Sequence, residues 1–244
     1  MTTAAATQPA PSRHRPPLRG WRLATRTLGE ILVTLGCVLM LFVVYQLWWT
    51  NVEADRAAAA ATQQLQQQWQ NDGRGEPTTG PEYPPDLKRG EAFALMYIPR
   101  LGKKWREPVI QGVTLDDLTK GVGHYPDSAM PGEIGNFAVA GHRATNGEPF
   151  AYLDGVRAGD LVVVETRTTF YTYRLDDWYI VPPTQVEVIE PVPNKPDAKP
   201  RQPLITLTTC NPRWASYERL IVHGVLIDTR PKSDGPPPAL SEGA

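Results

Sequence analysis

The chain has 244 residues, of which 41% are hydrophobic and 21% are charged, and its formal net charge at pH 7 is -1. This length accommodates one membrane segment and one globular domain, and the near-neutral charge argues against a nucleic-acid-binding protein. The acidic residues are scattered and no Cys-x-x-Cys or His-Glu-x-x-His spacing occurs, so we expect neither a metal site nor a cofactor.

A transmembrane helix is predicted near the N-terminus. Residues 1–27 are rich in Thr, Ala, Pro and Arg and indicate a disordered tail, whereas residues 28–49 read LGEILVTLGCVLMLFVVYQLWW. At 1.5 Å per residue this apolar run can cross ~30 Å of hydrocarbon. A buried core helix would normally have a polar face, which the run lacks. A cleavable signal peptide would have a shorter run of ~7 to 15 residues and a small-residue cleavage site.

The charges on either side of the apolar run predict its orientation. The segment after the run carries Glu53, Asp55 and Arg56, whereas the segment before it carries Arg13, Arg15, Arg19, Arg22 and Arg26. This bias predicts a single-pass protein of the cell membrane with a cytoplasmic N-terminus and an extracellular domain. Cys37 lies in the span and is expected to be an inert apolar filler. Cys210 is then the lone extracellular cysteine: a reactive nucleophile, an intermolecular link or an inert buried residue.

The remaining chain divides by composition. Residues 51–70 are strong helix formers and predict a stalk, and Gly and Pro then break the helix, so that 50–90 is expected to form a stalk and linker. Residues 91–230 have a common size for one domain. Residues 231–244 are rich in Pro and Gly and are expected to be a disordered tail.

Seven short runs in this domain have the composition of β-strands. They are AFALMYIP, NFAVAGH, LVVVET, FYTYRL, DWYIV, LITLTT and RLIVHGVLI, with turn sequences between them. One stretch, TLDDLTKGV, predicts a short helix with Thr114 as its N-cap. The pattern predicts an all-β domain, either a closed barrel or a sandwich, with little helix.

Three residues at strand ends have the chemistry of acyl transfer. Cys210 directly follows LITLTT, and a thiol nucleophile needs an acid or base nearby. His142 ends the run NFAVAG and could project from the rim of the domain. Arg219 begins the next run after a loop of roughly eight residues, at which a hairpin would place it beside Cys210. Its guanidinium suits a substrate carbonyl or an oxyanion.

The other two histidines of the domain have plainer interpretations. His124 lies in the Gly- and Pro-rich stretch GVGHYPDSAMPG and is expected to be a hydrogen-bonded loop residue. His223 lies within the run RLIVHGVLI, where a core or ladder position with a satisfied imidazole is expected.

The segments TLTTC, GEIGNFAVAGHR and the strand of Arg219 together resemble the sortase family over residues 91–230. The stretches HYPDSAMPGEIGNFAVAGHR and TTCNPRW are most similar to class E sortases of high-GC Gram-positive bacteria. The resemblance implies a sortase-type closed β-barrel of about eight strands with short helices, preceded by the transmembrane helix. It also implies that Cys210 is the nucleophile, His142 the acid/base and Arg219 the group that stabilises substrate or oxyanion.

The same resemblance implies a reaction and its partners. A sortase cleaves the Thr-Gly bond of a Leu-Ala-x-Thr-Gly or Leu-Pro-x-Thr-Gly signal near the C-terminus of an exported protein through a cysteine thioacyl intermediate. The acceptor is an amine of a lipid II type peptidoglycan precursor. Thr209 and Tyr125 are expected to contact substrate, whereas β-propensity alone explains Thr206 and Thr208 equally well.

Two other functions remain as alternatives. A cell-wall cysteine peptidase generally places its cysteine before its histidine, and an L,D-transpeptidase has a Ser-x-Gly-Cys motif, whereas here His142 comes first and the thiol follows LTT. A membrane-tethered extracellular binding module with an inert Cys210 is the alternative from a different functional class.

Overall fold

The computed structural model describes residues 19–72, 82–84 and 86–241. Most of the predicted N-terminal tail, much of the predicted linker and the last three residues lie outside this description. The described chain forms two compact units, the first ending at Tyr45 and the second starting at Gln46.

The first unit is one apolar helix, α1 (Arg19–Val44). Its residues 20–44 have a mean hydropathy of 2.3, and α1 is the one helix among the described residues that is long and apolar enough to cross a membrane. The helix extends toward the N-terminus beyond residue 28, the first residue of the predicted span, because Leu23 and Ala24 are good helix formers. A π-helical turn, Tyr45–Trp49, occupies the end of the predicted span.

Among its described residues, the second unit contains nine strands and three further α-helices, besides short 3-10 helices. The helices are α2 (Thr50–Asp72), α3 (Leu115–Leu118) and α4 (Pro238–Ser241). The strands are β1 (Ala92–Tyr97), β2 (Arg106–Gln111), β3 (Val122–His124), β4 (Gly135–Ala140), β5 (Leu161–Glu165), β6 (Thr169–Leu175), β7 (Tyr179–Val181), β8 (Pro203–Asn211) and β9 (Glu218–Pro231).

Eight of these strands close into a barrel. Their order is β6-β5-β1-β2-β3-β4-β8-β9, and β9 pairs again with β6. The long β9 makes closure possible, because its first part pairs with β8 and its later part with β6. The short β7 pairs with β9 outside the ring. The predicted closed all-β barrel of about eight strands is therefore confirmed.

Side-chain alternation along β8 separates the core from the outer face of the barrel. Ile205 and Leu207 are fully buried in the main core, together with Phe137 of β4 and Val222 of β9. Because successive side chains of a strand point to opposite faces, the alternate residues Thr206, Thr208 and Cys210 belong to the outer face.

The structure contains all seven strands that the sequence predicts, as well as the short helix. Thr114 is its N-cap: its hydroxyl accepts from the Asp117 backbone, and its own N–H donates to the Asp117 carboxylate. Strands β2 and β3 were not predicted. The first begins with two charged residues and a proline, and the second has three residues with a central glycine, so neither has a recognisable alternation.

Helix α2, expected from the sequence as a stalk, packs against β1 and β2. Ala54 and Leu65 are the apolar residues that it buries there. At its far end, the ring of Trp69 lies 4.2 Å from the ammonium group of Lys232, which also pairs with Glu165 at 2.5 Å. The helix and the segment after β9 are thus both held on the barrel.

Candidate active site

Two parallel strands bring His142 and Cys210 to the same end of the barrel. β4 and β8 pair in register up to Ala140 and Thr208. The Gly141 N–H then donates to the Thr208 carbonyl at 3.1 Å. Ala140 and Thr208 are the last residue pair that joins β4 to β8. His142 and Cys210 each lie two residues further along the chain, so both lie at the same end of these neighbouring strands.

Arg219 lies on the other side of Cys210. The two residues are directly opposite in the antiparallel pair of β8 and β9. Side chains at such positions share one face of the sheet, with Cβ atoms about 4.5–5.5 Å apart. The hairpin predicted from the spacing is therefore confirmed. Cys210 is half-buried and forms no disulfide.

A close backbone approach fixes the segment that carries His142. A Cβ atom on Gly141 would lie 2.7 Å from the Phe150 ring, so only glycine fits there. The Phe150 N–H donates to the His142 carbonyl at 3.0 Å, and the ring of Trp105 stacks on that of Phe150 with centroids 6.3 Å apart. These contacts fold the chain after His142 back onto the barrel.

The imidazole of His142 is half-buried and lacks a complete set of partners. Its Nε2 atom is inaccessible to solvent and has no hydrogen-bond partner among the described residues. Burial lowers the pKa of His142 below its ordinary value of 6.5, because the charged form loses hydration. The ring is therefore mainly neutral at pH 7, and no group among the described residues competes for its Nε2.

The other two histidines have partners on both ring nitrogens. His124 lies at the end of β3 rather than in a loop, with Nδ1 2.7 Å from Gln111 Oε1 and Nε2 2.9 Å from Ser128 Oγ. His223 Nε2 lies 2.6 Å from the Tyr179 hydroxyl. Burial lowers the pKa of each to about 4. The predicted hydrogen-bonded, structural environments are confirmed for both.

The guanidinium of Arg219 is held by the backbone of its own loop. Nη1 donates to the carbonyls of Ser216 and Glu218, both at 2.8 Å. An arginine has five N–H donors. The described part of the chain supplies no hydrogen-bond partner to Nε or Nη2, so the remaining donors are available to a carbonyl or an oxyanion.

Sequence reasoning missed a polar bridge around Cys210. The buried Arg143 donates from Nη1 to the Cys210 carbonyl at 3.3 Å and to the side-chain carbonyl of Asn211, while its Nη2 pairs with Asp154 at 3.0 Å. Asn211 in turn donates to Glu218 at 2.7 Å. This Arg143–Asn211 bridge joins the ends of β4 and β8 to the start of β9. Arg143 and Asn211 directly follow His142 and Cys210 in the sequence, and this adjacency was the signal that could have pointed to them.

The two predicted substrate contacts occupy different faces of the sheet. Thr209 is 3% exposed, lies on the face of β8 opposite Cys210, and donates its hydroxyl to the Gly141 carbonyl at 2.7 Å. Tyr125 follows β3, and its hydroxyl lies 3.5 Å from Thr208 Oγ1 on the face that Cys210 shares. The structure thus places Tyr125 along the outer face and Thr209 behind the strand end.

Within residues 19–72, 82–84 and 86–241, no group of three or more His, Cys, Asp or Glu side chains could hold a metal ion. The groups that converge at this end of the barrel are a thiol, an imidazole and a guanidinium. Together they can supply a nucleophile, an acid/base and an anion-stabilising donor set, which is what acyl transfer requires.

Comparison with known proteins gives consistent similarities. A family model described as Sortase domain matches residues 96–227. The chain is 40% identical over 226 residues to sortase SrtE1 of Streptomyces coelicolor, covering 89% of this chain and 61% of that protein, less than two thirds of its length. Sortase SrtE2 of the same organism is 37% identical, with 87% of this chain and 85% of that protein covered. The solved structure of sortase E from Streptomyces avermitilis is 47% identical with a TM-score of 0.58, and the match covers 63% of this chain and 99% of that one.

Proposed function

The chain belongs to the sortase family of cysteine transpeptidases, and from this we propose that it attaches exported proteins to the cell wall through Cys210, His142 and Arg219. The observation that carries the proposal is the arrangement at the end of β8. Cys210 lies directly opposite Arg219 and next to the strand end that bears His142, whose Nε2 lacks a partner.

In the first half of the reaction, Cys210 Sγ attacks the carbonyl carbon of the Thr-Gly bond. The thiol proton passes to His142 Nε2, and the carbonyl oxygen gains a negative charge that the free N–H groups of Arg219 stabilise. The C–N bond then breaks as His142 returns the proton to the departing glycine amine. A thioester between the threonine carbonyl and Cys210 remains.

In the second half, an acceptor amine attacks the thioester carbon. His142 removes a proton from this amine as the new amide bond forms, the carbon–Sγ bond breaks, and His142 passes that proton to the departing Cys210 sulfur. The neutral form of His142 is needed at this point, and the burial that lowers its pKa favours that form. We assign the acceptor to the amine of a lipid II type peptidoglycan precursor.

The chain is similar to class E sortases, and we propose that its preferred signal is Leu-Ala-x-Thr-Gly rather than Leu-Pro-x-Thr-Gly. An extended signal peptide leading to Cys210 along the outer face of β8 would pass Thr208, whose hydroxyl neighbours Tyr125. We therefore assign Tyr125 to substrate contact. Thr209 acts from behind, since its hydroxyl holds the Gly141 carbonyl beside His142 and so helps to position the substrate.

We further propose that α1 anchors the enzyme, with residues 28–49 as the single membrane span and residues 91–230 as the extracellular catalytic domain. The apolar composition of α1 and the arginines before it support this orientation. The chain would then act at the outer surface of the cell membrane on proteins that are exported past it.

The test is intact mass spectrometry of the detergent-solubilised full chain, wild type and Cys210→Ala, incubated with a Leu-Ala-x-Thr-Gly peptide and a free amine. We expect a transient acyl adduct on the wild type alone, together with amine-joined product. Cleavage without any gain from the amine would indicate a peptidase. Neither adduct nor cleavage, with this peptide or with Leu-Pro-x-Thr-Gly, would favour a binding module.

A further inference from the structure

Three large aromatic side chains are exposed at the Cys210 end of the barrel. Trp214 (68% exposed) and Tyr217 (67%) lie in the loop between β8 and β9, and Tyr152 (65%) lies in the segment after His142. The Arg213 guanidinium lies 4.8 Å from the Tyr152 ring centroid and 5.2 Å from that of Trp214, which links the two segments. These three residues are named the aromatic rim.

Two exposed lysines lie at the same end of the barrel. Lys103 and Lys104 occupy the turn between β1 and β2. The next residue, Trp105, donates from its indole N–H to the Pro149 carbonyl at 3.1 Å, and its ring stacks on Phe150, which follows His142 in the same segment as Tyr152. Positive charge therefore accompanies the exposed aromatic groups.

A chain of hydrogen bonds connects this end of the barrel to the first turn of α2. Asn51 Nδ2 donates to Glu148 Oε1 at 3.3 Å, and the Gly147 N–H donates to Asn51 Oδ1 at 3.1 Å. The other carboxylate oxygen of Glu148 pairs with Arg213 at 2.9 Å. Arg213, the residue before Trp214, and Asn51 thus bind the same carboxylate, that of Glu148.

Asn51 follows α1 closely in the chain. It lies seven residues after Val44, the last residue of α1. Trp48 and Trp49, just before α2, are 63% and 42% exposed.

We propose that the aromatic rim, with Lys103 and Lys104, rests on the anionic headgroup layer of the bilayer that holds α1. The proposal rests on the membrane anchor proposed above. Tryptophan and tyrosine prefer the membrane interface because they combine an apolar ring with a polar group, and lysines near the surface are attracted to anionic lipids. Ile134 and Val186 are also exposed, at 64% and 60%, but they are aliphatic and lack the polar group that favours the interface.

Contact between the aromatic rim and the membrane would affect which acceptor amines reach Cys210. The loop that carries Trp214 and Tyr217 begins directly after β8, the strand of Cys210. A thioester on Cys210 would then be held beside the headgroups, where an amine attached to a lipid could reach it without leaving the bilayer. A water-soluble amine would gain nothing from this position.

The test uses the full chain with Cys37→Ser and Cys210→Ala, reconstituted in vesicles of phosphatidylethanolamine and phosphatidylglycerol. Single cysteines introduced by Trp214→Cys or, as a matched control before β4, by Ile134→Cys carry an environment-sensitive fluorophore. We expect a headgroup spin label to quench the fluorophore at position 214 at least about threefold more than at position 134. Lys103→Glu with Lys104→Glu should reduce that difference.

A third label, introduced by Leu39→Cys within α1, reports the anchor through an acyl-chain spin label. Strong quenching at position 39 with equal quenching at positions 214 and 134 would contradict the membrane contact of the aromatic rim and support the membrane insertion of α1. Absence of quenching at position 39 would overturn both. In the otherwise wild-type chain, Trp214→Ser with Tyr217→Ser should slow transfer to a lipid-linked amine several-fold and leave transfer to a soluble amine unchanged; equal slowing would also overturn the rim.

Discussion

Strands β4, β8 and β9 place two histidines at two levels, His223 midway along the strands and His142 at their ends. The two imidazoles differ in their hydrogen bonding. Midway along the strands, Thr206 donates to Asn136 at 2.7 Å, and its hydroxyl lies 2.9 Å from Nδ1 of His223, whose Nε2 contacts Tyr179. At the strand ends, His142 Nε2 is buried without a partner. A satisfied imidazole stabilises the sheet, whereas a buried nitrogen without a partner costs stability, so His142 is the histidine with an unmet hydrogen-bonding requirement.

The largest expected difference between the two levels is catalytic. His142→Gln should lower kcat by about 10² to 10⁴-fold, because the thiol and the leaving amine lose their proton carrier. His223→Gln should change kcat by less than about threefold, since the amide can replace part of the hydrogen bonding. Steady-state transpeptidation assays on both variants, with circular dichroism as a folding control, provide the measurement. Equal losses would remove the distinction between the two levels.

The next effect concerns Arg219, which is opposite Cys210. Arg219→Lys should lower kcat by about 10² to 10³-fold, because an ammonium cannot hold the two loop carbonyls and still present a planar donor set to the oxyanion. Arg230→Lys, further along β9, is the matched control and should leave the rate unchanged. A rate for Arg219→Lys within about threefold of wild type would show that only its charge matters.

A smaller loss is expected from the Arg143–Asn211 bridge. Arg143→Lys removes the fork that holds the Cys210 carbonyl and Asn211 together, and a misplacement of ~1 Å at the nucleophile can cost ~10²-fold. We expect kcat to fall by up to that factor while KM changes little. Arg100→Lys is the control, because Arg100 forms an exposed ion pair with Asp160. A change confined to KM would assign Arg143 to substrate binding instead.

The smallest expected effect is the pH dependence of stability at the middle level. The pKa of His223 is 6.5 unfolded and about 4 folded, with burial as the cause. As pH falls below 6.5 the unfolded state binds the proton first, so stability decreases until about pH 4. Linkage gives a loss of roughly 2 kcal/mol at pH 5 from this one group.

Urea unfolding of the detergent-solubilised full chain at pH 7 and pH 5 measures this loss. Glu107 acts in the opposite direction, since burial and the nearby Asp55 raise its pKa to about 7. The useful quantity is therefore the difference between wild type and His223→Gln, which should shrink as pH falls from 7 to 5. A difference independent of pH would mean that His223 titrates normally in the folded chain.

The hairpin at Cys210 could be predicted because it depends on local signals: alternation along LITLTT, a short loop and a second apolar run. The apolar helix could be predicted from equally local signals, because its composition alone marks it. The pairing of β4 with β8, the closure of β9 on β6 and the packing of α2 join distant parts of the chain, and no short pattern encodes them. Arg143 and Asn211 directly follow the predicted His142 and Cys210, but their contact depends on the β4–β8 pairing and therefore on the fold.

The central claim is that Cys210 and His142 act as one unit. Its most direct test is the pH dependence of Cys210 alkylation by iodoacetamide, followed by intact mass, in Cys37→Ser chains with and without His142→Gln. We predict an inflection below pH 6.5 that follows the lowered pKa of His142 and is lost in the Gln variant. Identical profiles with and without the imidazole would contradict the account, because the thiol would then react without sensing His142.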